Sequence, residues 1–385
     1  MTEFTATFAT QISQVNKQHW QAIFNDNYPF YQYPFLHALE QSGAVSSSSG
    51  WQPQHLLIHT DSTLIAAMPC YLKKHSYGEY MFDWSWANAY QAHGLDYYPK
   101  LLSAIPFTPA TGKRIGIHPE FEQFSQAIFA LIVKVLTQTL DQIKASNFQC
   151  LFLDKATSDG LAKLGLIQRT DVQYHWLNKG YSSFSDFLSR MTARKRKMIK
   201  KERQNLALHK LSFVWCNGED ITKQDWNSFF SCYQQTYLKR SGHQGYLNLT
   251  FFSSLSEQCA DSILLLKVIN DKQEIVASSL FFKSDTHLYG RYWGCIQEHA
   301  FLHFEACYYQ GIEYCIKQNL QCFDAGAQGE HKLARGFEPV KLYGNYLIPQ
   351  QNFKHAIADF IEKEQRYHTE YMQSACSYLP FKTER

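Results

Sequence analysis

A long helical pattern, flanked on both sides by strand patterns, dominates the first half of the sequence. Between Phe124 and Ile143, apolar side chains recur every three or four residues and cover a wide face. Residues 113–118 before this pattern and 148–154 after it have the composition of strands. A helix with so wide an apolar face has to be buried against other elements, so the pattern predicts an α/β fold.

The order of the predicted elements occurs twice along the chain. Each half reads as helices, antiparallel strands, a helix, a strand, a further helix and a last strand. The second half opens with residues 183–208, which are predicted to form one helix. At about 150 residues per domain, the chain of 385 residues suits two domains, for which we expect the bounds 1–178 and 179–385.

The composition is that of a globular protein with a large core. Hydrophobic residues make up 45% of the chain and charged residues 18%, which excludes a disordered or fibrous protein. The first residues lack the basic and apolar regions of a signal peptide, and no apolar stretch is long enough to span a bilayer. We therefore expect a cytoplasmic protein without membrane insertion. The cysteines and histidines lack zinc-binding spacing, so we also expect no metal site.

The segment Arg190–Arg203 concentrates positive charge. It holds eight basic residues and a single acid, Glu202, whereas the whole chain has a net charge of only +3. Because like charges four residues apart on a helix repel, a bound anion would stabilise this segment. We therefore expect a phosphate-bearing ligand, either nucleic acid or a nucleotide-linked sugar, and the alternative is a solvated helix face. The candidate phosphate-binding residues are Arg194, Arg196, Lys197 and Lys201.

Aromatic, acidic and amide side chains alternate densely over residues 75–90, and Tyr-Tyr-Pro-Lys follows at 97–100. Rings give a pocket its shape and a few polar groups orient the ligand, so the stretch is typical of a substrate-binding wall. An aromatic core with internally satisfied polar groups explains the pattern equally well. On the first interpretation, the substrate-binding residues are His75, Tyr77, Glu79, Asp83, Trp84, Tyr98 and Lys100.

Two further candidate segments lie in the second half of the chain. Residues 290–294 read Gly-Arg-Tyr-Trp-Gly, and residues 324–337 combine three glycines with many ionisable side chains directly after a strand. Glycine lets the backbone approach a ligand closely, so we expect these segments to line a site. The substrate-binding candidates here are Arg291, Trp293, His303, Gln328, Lys332 and Arg335.

These segments carry a resemblance to a known family. The motifs HSYGEYxFDWxWAxAY, GRYWG, LHFExCYYQGI and AGAQGEHKLARGF resemble those of a bacterial family of GNAT-type N-acyltransferases, also described as peptidoglycan biosynthesis/recognition proteins. More distantly, the chain is similar to the Fem-type aminoacyl transferases, which use two GNAT domains to move an amino acid from aminoacyl-tRNA to a nucleotide-linked peptidoglycan precursor. The resemblance implies a mixed α/β protein with tandem GNAT-like domains and a cleft between them.

The same resemblance implies transfer of an acyl or aminoacyl group to an amine, with a peptidoglycan precursor or a related metabolite as acceptor. Acyl-CoA and aminoacyl-tRNA are both possible donors, the substrate is a small or nucleotide-linked molecule, and tRNA is a possible partner. No permanently bound cofactor is expected. The alternative is a non-catalytic module of the same fold that binds a phosphate-bearing ligand such as nucleic acid or a nucleotide-sugar.

Transfer to an amine needs a base for the amine proton and an acid for the leaving group. Glu330, Glu305 and His331 are the candidate bases, and Tyr308 is the candidate acid. Glu330 and His331 are adjacent, so in an extended loop they point in opposite directions. We expect Glu330 to face the cleft, because a carboxylate beside cationic groups stays ionised and can accept a proton.

Overall fold

Residues 3–327 and 329–382 are described by a computed structural model, and they divide into two units. The first unit contains the described residues through Val172 together with Lys341–Glu370. The second contains Gln173–Val340 together with the described residues from Tyr371 onward. These units differ from the expected domains, 1–178 and 179–385, chiefly in the segment Lys341–Glu370, which packs with the first unit.

The elements up to residue 177 are mostly short strands interspersed with helices. In chain order they are β1 (Phe4–Ala9), α1 (Lys17–Ile23), α2 (Tyr33–Gln41), β2 (Trp51–Pro53), β3 (His55–Thr60), β4 (Thr63–Met68), β5 (Tyr71–Lys73), α3 (Trp84–Ala92), β6 (Lys100–Ser103), β7 (Gly116–Ile117), α4 (Ser125–Gln142), β8 (Phe148–Leu153), α5 (Lys155–Lys163) and β9 (Ile167–Leu177).

The remaining elements include several strands of seven to ten residues and a long final helix. They are α6 (Phe184–Ser189), α7 (Ala193–Ala207), β10 (Ser212–Asn217), α8 (Lys223–Ser241), α9 (Leu249–Gln258), β11 (Ile263–Ile269), β12 (Ile275–Lys283), β13 (His287–Cys295), α10 (Leu302–Phe304), a π-helix (Glu305–Tyr309), α11 (Gln310–Lys317), β14 (Cys322–Asp324), a 3-10 helix (Glu330–Arg335), β15 (Glu338–Leu347) and α12 (Gln351–Ser377).

The strands of the first unit form two groups. β1, β3, β4 and β7 are neighbours in that order in an antiparallel sheet, and β15, β8, β6, β5 and β2 are neighbours in a second group. Helix α4 buries one side chain every four residues, which places a continuous apolar ridge in the core. Leu131 and Val135 are partly buried against the same core, so the helix has the wide apolar face that the sequence predicted, whereas Ile143 at its end is 38% exposed. The ridge consists of Ile128, Ile132, Leu136 and Leu140.

The strands of the second unit are neighbours in the order β10, β11, β12, β13, β14 and the end of β9. β10 to β13 are antiparallel, as the sequence predicted for β11 to β13. β14 is parallel to β13, and only its three residues Cys322–Asp324 pair with β13. Because β13 continues to Cys295 beyond this short pairing, its later half and the chain after Asp324 separate from one another.

Two predictions of local structure were wrong, and one helix was not predicted. The predicted helix 183–208 is two helices, α6 and α7, because the residues between them extend and Met191 forms a β-bridge with Phe381. The stretch 75–90 contains helix α3, which buries Trp86 and Tyr90 one turn apart. The loop after β14 is not extended at Glu330, which begins a 3-10 helix.

No helix in the described part of the chain is both long enough and apolar enough to cross a membrane. All ten cysteines are free of disulfides. Among residues 3–327 and 329–382, no three His, Cys, Asp or Glu side chains are grouped so that they could hold a metal ion.

Candidate functional site

A pocket of about 300 Å³ opens in the second unit, where β13 and the chain after β14 separate. Its walls come from the end of α8, from the middle of β12 and β13, from the π-helix and from Ala325 and Gly326. Three of the residues that the sequence singled out line it, namely Arg291, Trp293 and His303. Tyr308, the candidate acid, also lines it.

An irregularity in strand pairing shapes the pocket at Arg291. Pairing between β12 and β13 passes from Leu280–Tyr292 to Phe281–Gly290, so Arg291 is an extra residue on β13. Such a bulge bends the strand and changes the direction of its side chains. The guanidinium of Arg291 is buried and lies 3.2 Å from Oδ1 of Asp324, the last residue of β14. This ion pair ties the two separating strands together at the inner end of the pocket.

Buried charges surround Asp324. Burial alone raises the pKa of this carboxyl, but the charges of Arg291 and His175 outweigh burial, so the net pKa is lowered. Burial also lowers the pKa of His175 to about 4 and that of Lys332 to about 8. The Lys332 ammonium donates to the carbonyl oxygen of Gly326 at 2.5 Å. Lys332 therefore supports the pocket floor at Gly326 from inside the unit.

The π-helix directs two neighbouring tyrosines to different places. Its wider turn interrupts the α-helical spacing between α10 and α11, a feature that often accompanies functional sites. Tyr308 lines the pocket, whereas the Tyr309 hydroxyl donates to the Glu202 carboxylate of α7 and accepts from Arg335. Tyr308 thus forms part of the pocket wall, and Tyr309 holds α7 through its hydrogen bond to Glu202.

The Tyr308 hydroxyl lies 2.8 Å from Nε2 of His331, and this contact links the pocket to a more exposed side chain. Burial raises the pKa of Tyr308, and burial with the nearby Arg335 and Lys332 charges lowers the pKa of His331. Burial, followed by the charge of Arg240, lowers the pKa of His303 to about 3. At neutral pH the tyrosine is therefore protonated and both imidazoles are neutral. Through the hydrogen bond between Tyr308 and His331, a proton can pass between the pocket and the imidazole of His331.

Glu305 and Arg335 do not line this pocket, contrary to expectation. The Glu305 carboxylate is 5% exposed and accepts hydrogen bonds from Arg203 at 2.7 Å and Gln310 at 2.9 Å. The Arg335 guanidinium donates to Glu202 at 2.8 Å and stacks on the Phe304 ring. These side chains are engaged in buried ion pairs because α7 packs against the π-helix and the 3-10 helix.

Glu330 also lies away from the pocket. Its side chain is exposed and accepts a hydrogen bond from the Tyr371 hydroxyl at 2.7 Å. The expectation that it faces a site beside cationic groups assumed an extended loop. Instead, Glu330 begins the 3-10 helix and lines a second pocket of about 260 Å³ together with Lys195. Gln328 lies outside the described residues. Of the three candidate bases in the described chain, His331 is the one that contacts a residue lining the Arg291 pocket.

Three of the substrate-binding candidates of the first unit are buried together. The Lys100 ammonium lies 2.6 Å from a Glu79 oxygen and 2.5 Å from an Asp83 oxygen, and the three side chains have exposures of 0%. Burial raises the pKa of Glu79 to about 7, whereas the charge of Lys100 outweighs burial at Asp83 and lowers its pKa to about 2. A second lysine, Lys73, sits 3.7 Å from Glu79 and over the ring of Trp51.

Glu79, Asp83 and Lys100 therefore do not form an open wall in this structure, and their role in substrate binding stays a prediction. Charges closed off from solvent cannot orient a ligand in this conformation, and the alternative of a buried polar core describes them better. Within the described residues, one oxygen each of Glu79 and Asp83 accepts no hydrogen bond. The remaining candidates of the stretch are more accessible: Tyr77 is 55% exposed, Trp84 is 39% exposed, and His75 and Tyr98 are half-buried.

The basic helix α7 presents its cations outward. Arg194, Lys197 and Lys201 are exposed, and Arg196 is half-buried. Within the described residues, none of these four lies within ion-pair distance of a carboxylate, whereas the buried Glu202 on the same helix pairs with Arg335. The helix therefore separates its one acid from its cations, and binding of phosphate to that face stays a prediction.

Sequence reasoning missed several residues that line the pocket, among them Tyr237, Arg240, Ser279 and Cys307. Tyr237 and Arg240 come from the last turns of α8, which Gly242 ends in the left-handed conformation at φ +70°. The basic end of that helix was a signal in the sequence, but a cation in a last turn is also explained by the helix dipole. Only the packing of α8 against β12 and β13 shows that these residues face a pocket.

The model of a FemAB-like family, described as peptidoglycan biosynthesis/recognition, matches residues 11–383. No curated protein matches the sequence at a significant level.

Solved structures with a similar fold cover most of the chain. The crystal structure of FemX has a TM-score of 0.52 and 11% sequence identity, and the match covers 89% of this chain and 98% of FemX. A conserved protein of unknown function from Bacteroides thetaiotaomicron has a TM-score of 0.52 and 10% identity, with 89% and 98% covered. At such identities the likeness concerns the fold, and it confirms the expected mixed α/β fold with tandem GNAT-like domains.

Proposed function

Because this chain belongs to the FemAB-like family of peptidoglycan biosynthesis/recognition proteins, we propose that it transfers an acyl or aminoacyl group to an amine. The observation that carries the proposal is the contact between the Tyr308 hydroxyl, which lines the pocket of the second unit, and His331 behind it. Transfer to an amine moves one proton from the nucleophile to the leaving group, and this pair stands where such a proton can be handled.

In the proposed reaction, the amine nitrogen attacks the carbonyl carbon of the donor and forms the new C–N bond. The bond between that carbon and the leaving oxygen or sulfur then breaks, and Tyr308 donates its proton to the leaving atom. His331 supplies a proton to the tyrosine oxygen, and it regains one from the amine by way of solvent, to which it is exposed. The balance is one amine proton transferred to the leaving group.

The neutral state of the pair suits this role. Burial raises the pKa of Tyr308, so its hydroxyl carries a proton to donate at neutral pH. The lowered pKa of His331 keeps the imidazole neutral, so one ring nitrogen can donate while the other accepts. Arg291, held by Asp324, and the rings of Trp293 and His303 would orient the substrate.

A non-catalytic binding module of the same fold is the second candidate. The observation in its favour is that neither carboxylate proposed as a base lines the pocket: Glu305 pairs with Arg203, and Glu330 bonds to Tyr371. Such a module would bind a phosphate-bearing ligand, such as nucleic acid or a nucleotide-sugar, through the basic face of α7.

Two measurements test the proposal in sequence. A thermal-shift panel of acyl-CoAs, aminoacyl-tRNA and nucleotide-linked muropeptides first identifies donor and acceptor, and mass spectrometry then measures the acylated amine. With a verified pair, Tyr308→Phe should lower kcat about 100-fold or more, because the ring keeps its packing and loses the donated proton. Tyr314→Phe, a matched change on α11 outside the pocket lining, should leave kcat within about twofold.

The outcomes separate the two candidates. Full activity of Tyr308→Phe would refute the assigned acid. Binding of a panel member without any acylated product would favour the binding module.

A further inference from the structure

The pocket of the second unit is electrostatically one-sided. Two arginines line it, Arg240 and Arg291, and no Asp or Glu among the described residues does. The remaining lining is mostly rings, hydroxyl groups and short apolar side chains. A cavity with cations and no lining carboxylate favours a ligand that brings its own negative charge.

The two arginines differ in their engagement. Arg291 is buried and held by Asp324 at 3.2 Å. Arg240 stands at the exposed end of α8, and no carboxylate of residues 3–327 and 329–382 forms an ion pair with it. Its neighbour Lys239 points to Glu298 and pairs with it. In the last turn of α8, Lys239 therefore forms an ion pair at the surface, whereas Arg240 lines the pocket.

The charge of Arg240 affects the pKa values of several groups at the pocket. It contributes to the lowered pKa of His303 directly after burial, and to that of His331 after burial, Arg335 and Lys332. It also partly offsets the burial that raises the pKa of Tyr308. Groups on α10, the π-helix and the 3-10 helix thus all lie within the field of this one guanidinium. An anion bound to Arg240 would lie beside the Tyr308–His331 pair.

We propose that Arg240 binds an anionic oxygen group, a carboxylate or a phosphate, of a ligand whose apolar part packs on the rings of the pocket. The planar guanidinium presents paired donors that match either group in a bidentate geometry. The inference rests on the proposed function only in making that ligand a substrate of the transfer. The substrate is then an amphiphilic anion rather than a neutral or cationic molecule.

Binding of simple probes tests the inference without any turnover. Hexanoate and butyl phosphate each join an apolar chain to one anionic group, and hexanamide has the same shape as hexanoate without the charge. Isothermal titration calorimetry on the full chain should detect at least one of the two anions and find hexanamide at least tenfold weaker. The stronger anion identifies which group the pocket prefers.

Three proteins complete the experiment: the unchanged chain, Arg240→Gln and the control Lys239→Gln. Arg240→Gln should weaken binding of the preferred anion at least tenfold with an unchanged melting temperature, because the side chain is exposed. Lys239→Gln should stay within about twofold. Equal affinity of Arg240→Gln, equal binding of hexanamide, or no binding of either anion would overturn the inference. If only the transferase proposal fails, anion binding persists and no product forms.

Discussion

Glu202 is the residue whose replacement should reveal most about how the second unit holds its basic helix. Its carboxylate is 6% exposed, accepts a hydrogen bond from the Arg335 guanidinium at 2.8 Å, and accepts another from the Tyr309 hydroxyl. Glu202→Gln keeps the shape and removes the charge, so the 5% exposed Arg335 loses its counter-ion.

The magnitude follows from these contacts. Breaking a buried ion pair by removing one partner costs about 3–5 kcal/mol, because the remaining charge is uncompensated. Since glutamine can still accept one hydrogen bond, we expect the low end, about 3 kcal/mol of unfolding free energy for the second unit. For a domain of this size, 1 kcal/mol shifts Tm by about 2–4 °C, so the transition should fall by roughly 6–12 °C.

Urea unfolding followed by calorimetry of the same variants is the assay. Gln204→Ala, an exposed position on the same helix, is the control and should change the unfolding free energy by less than about 0.5 kcal/mol. Glu202→Gln combined with Arg335→Met removes both charges and should be more stable than the sum of the single changes predicts, by about 1 kcal/mol or more. The reasoning is refuted if Glu202→Gln unfolds together with the control, or if the two changes simply add.

Two more predictions concern pH and salt. Burial lowers the pKa of Lys73 from 10.5 to about 7, so between these pH values the unfolded chain binds one more proton than the folded chain, and the free energy of unfolding rises with pH. Lys73→Met leaves Glu79 paired with Lys100 and should flatten this rise when urea unfolding is compared at pH 7 and 9. An unchanged pH dependence of the unfolding free energy would contradict this prediction. Replacing the four α7 cations by alanine should weaken the binding of single-stranded RNA, measured by fluorescence anisotropy, and reduce the salt dependence of that binding. Tm should not fall. Equal affinity and equal salt dependence would show that the helix face is only solvated. The four cations are Arg194, Arg196, Lys197 and Lys201.

Much of the fold could be predicted from the sequence because its periodic patterns are long. Helix α4 and strands β11 to β13 have apolar spacing that local chemistry alone explains. Helix α3 could not be predicted in the same way, since only Trp86 and Tyr90 mark its buried face over nine residues. The break between α6 and α7 depends on Phe381, far along the chain, which no local pattern reveals.

The candidate site could be predicted only in part, for a related reason. Tyr308, His303, Arg291 and Trp293 were found because they lie in dense runs of polar and aromatic residues, and all four line the pocket. Some ionisable residues of the same runs line the pocket and others are buried in ion pairs. The π-helix and the 3-10 helix determine the direction of each side chain, and the sequence does not reveal these two helix types. The carboxylate of Glu305 could act as a general base by its chemistry, but its position makes it the counter-ion of Arg203.

The return of Lys341–Glu370 to the first unit has a consequence for how the protein is made. The buried side chain of Asn345 hydrogen-bonds Ser158, which precedes it by 187 positions, and β15 supplies one neighbour of β8. At about 5–20 residues per second, a ribosome needs roughly 10–40 s to travel that distance. During this interval the nascent first unit presents an open edge along Phe148–Leu153, whose side chains are all buried in the finished fold. Synthesis that stops at Val340 would leave the first unit without its closing strand.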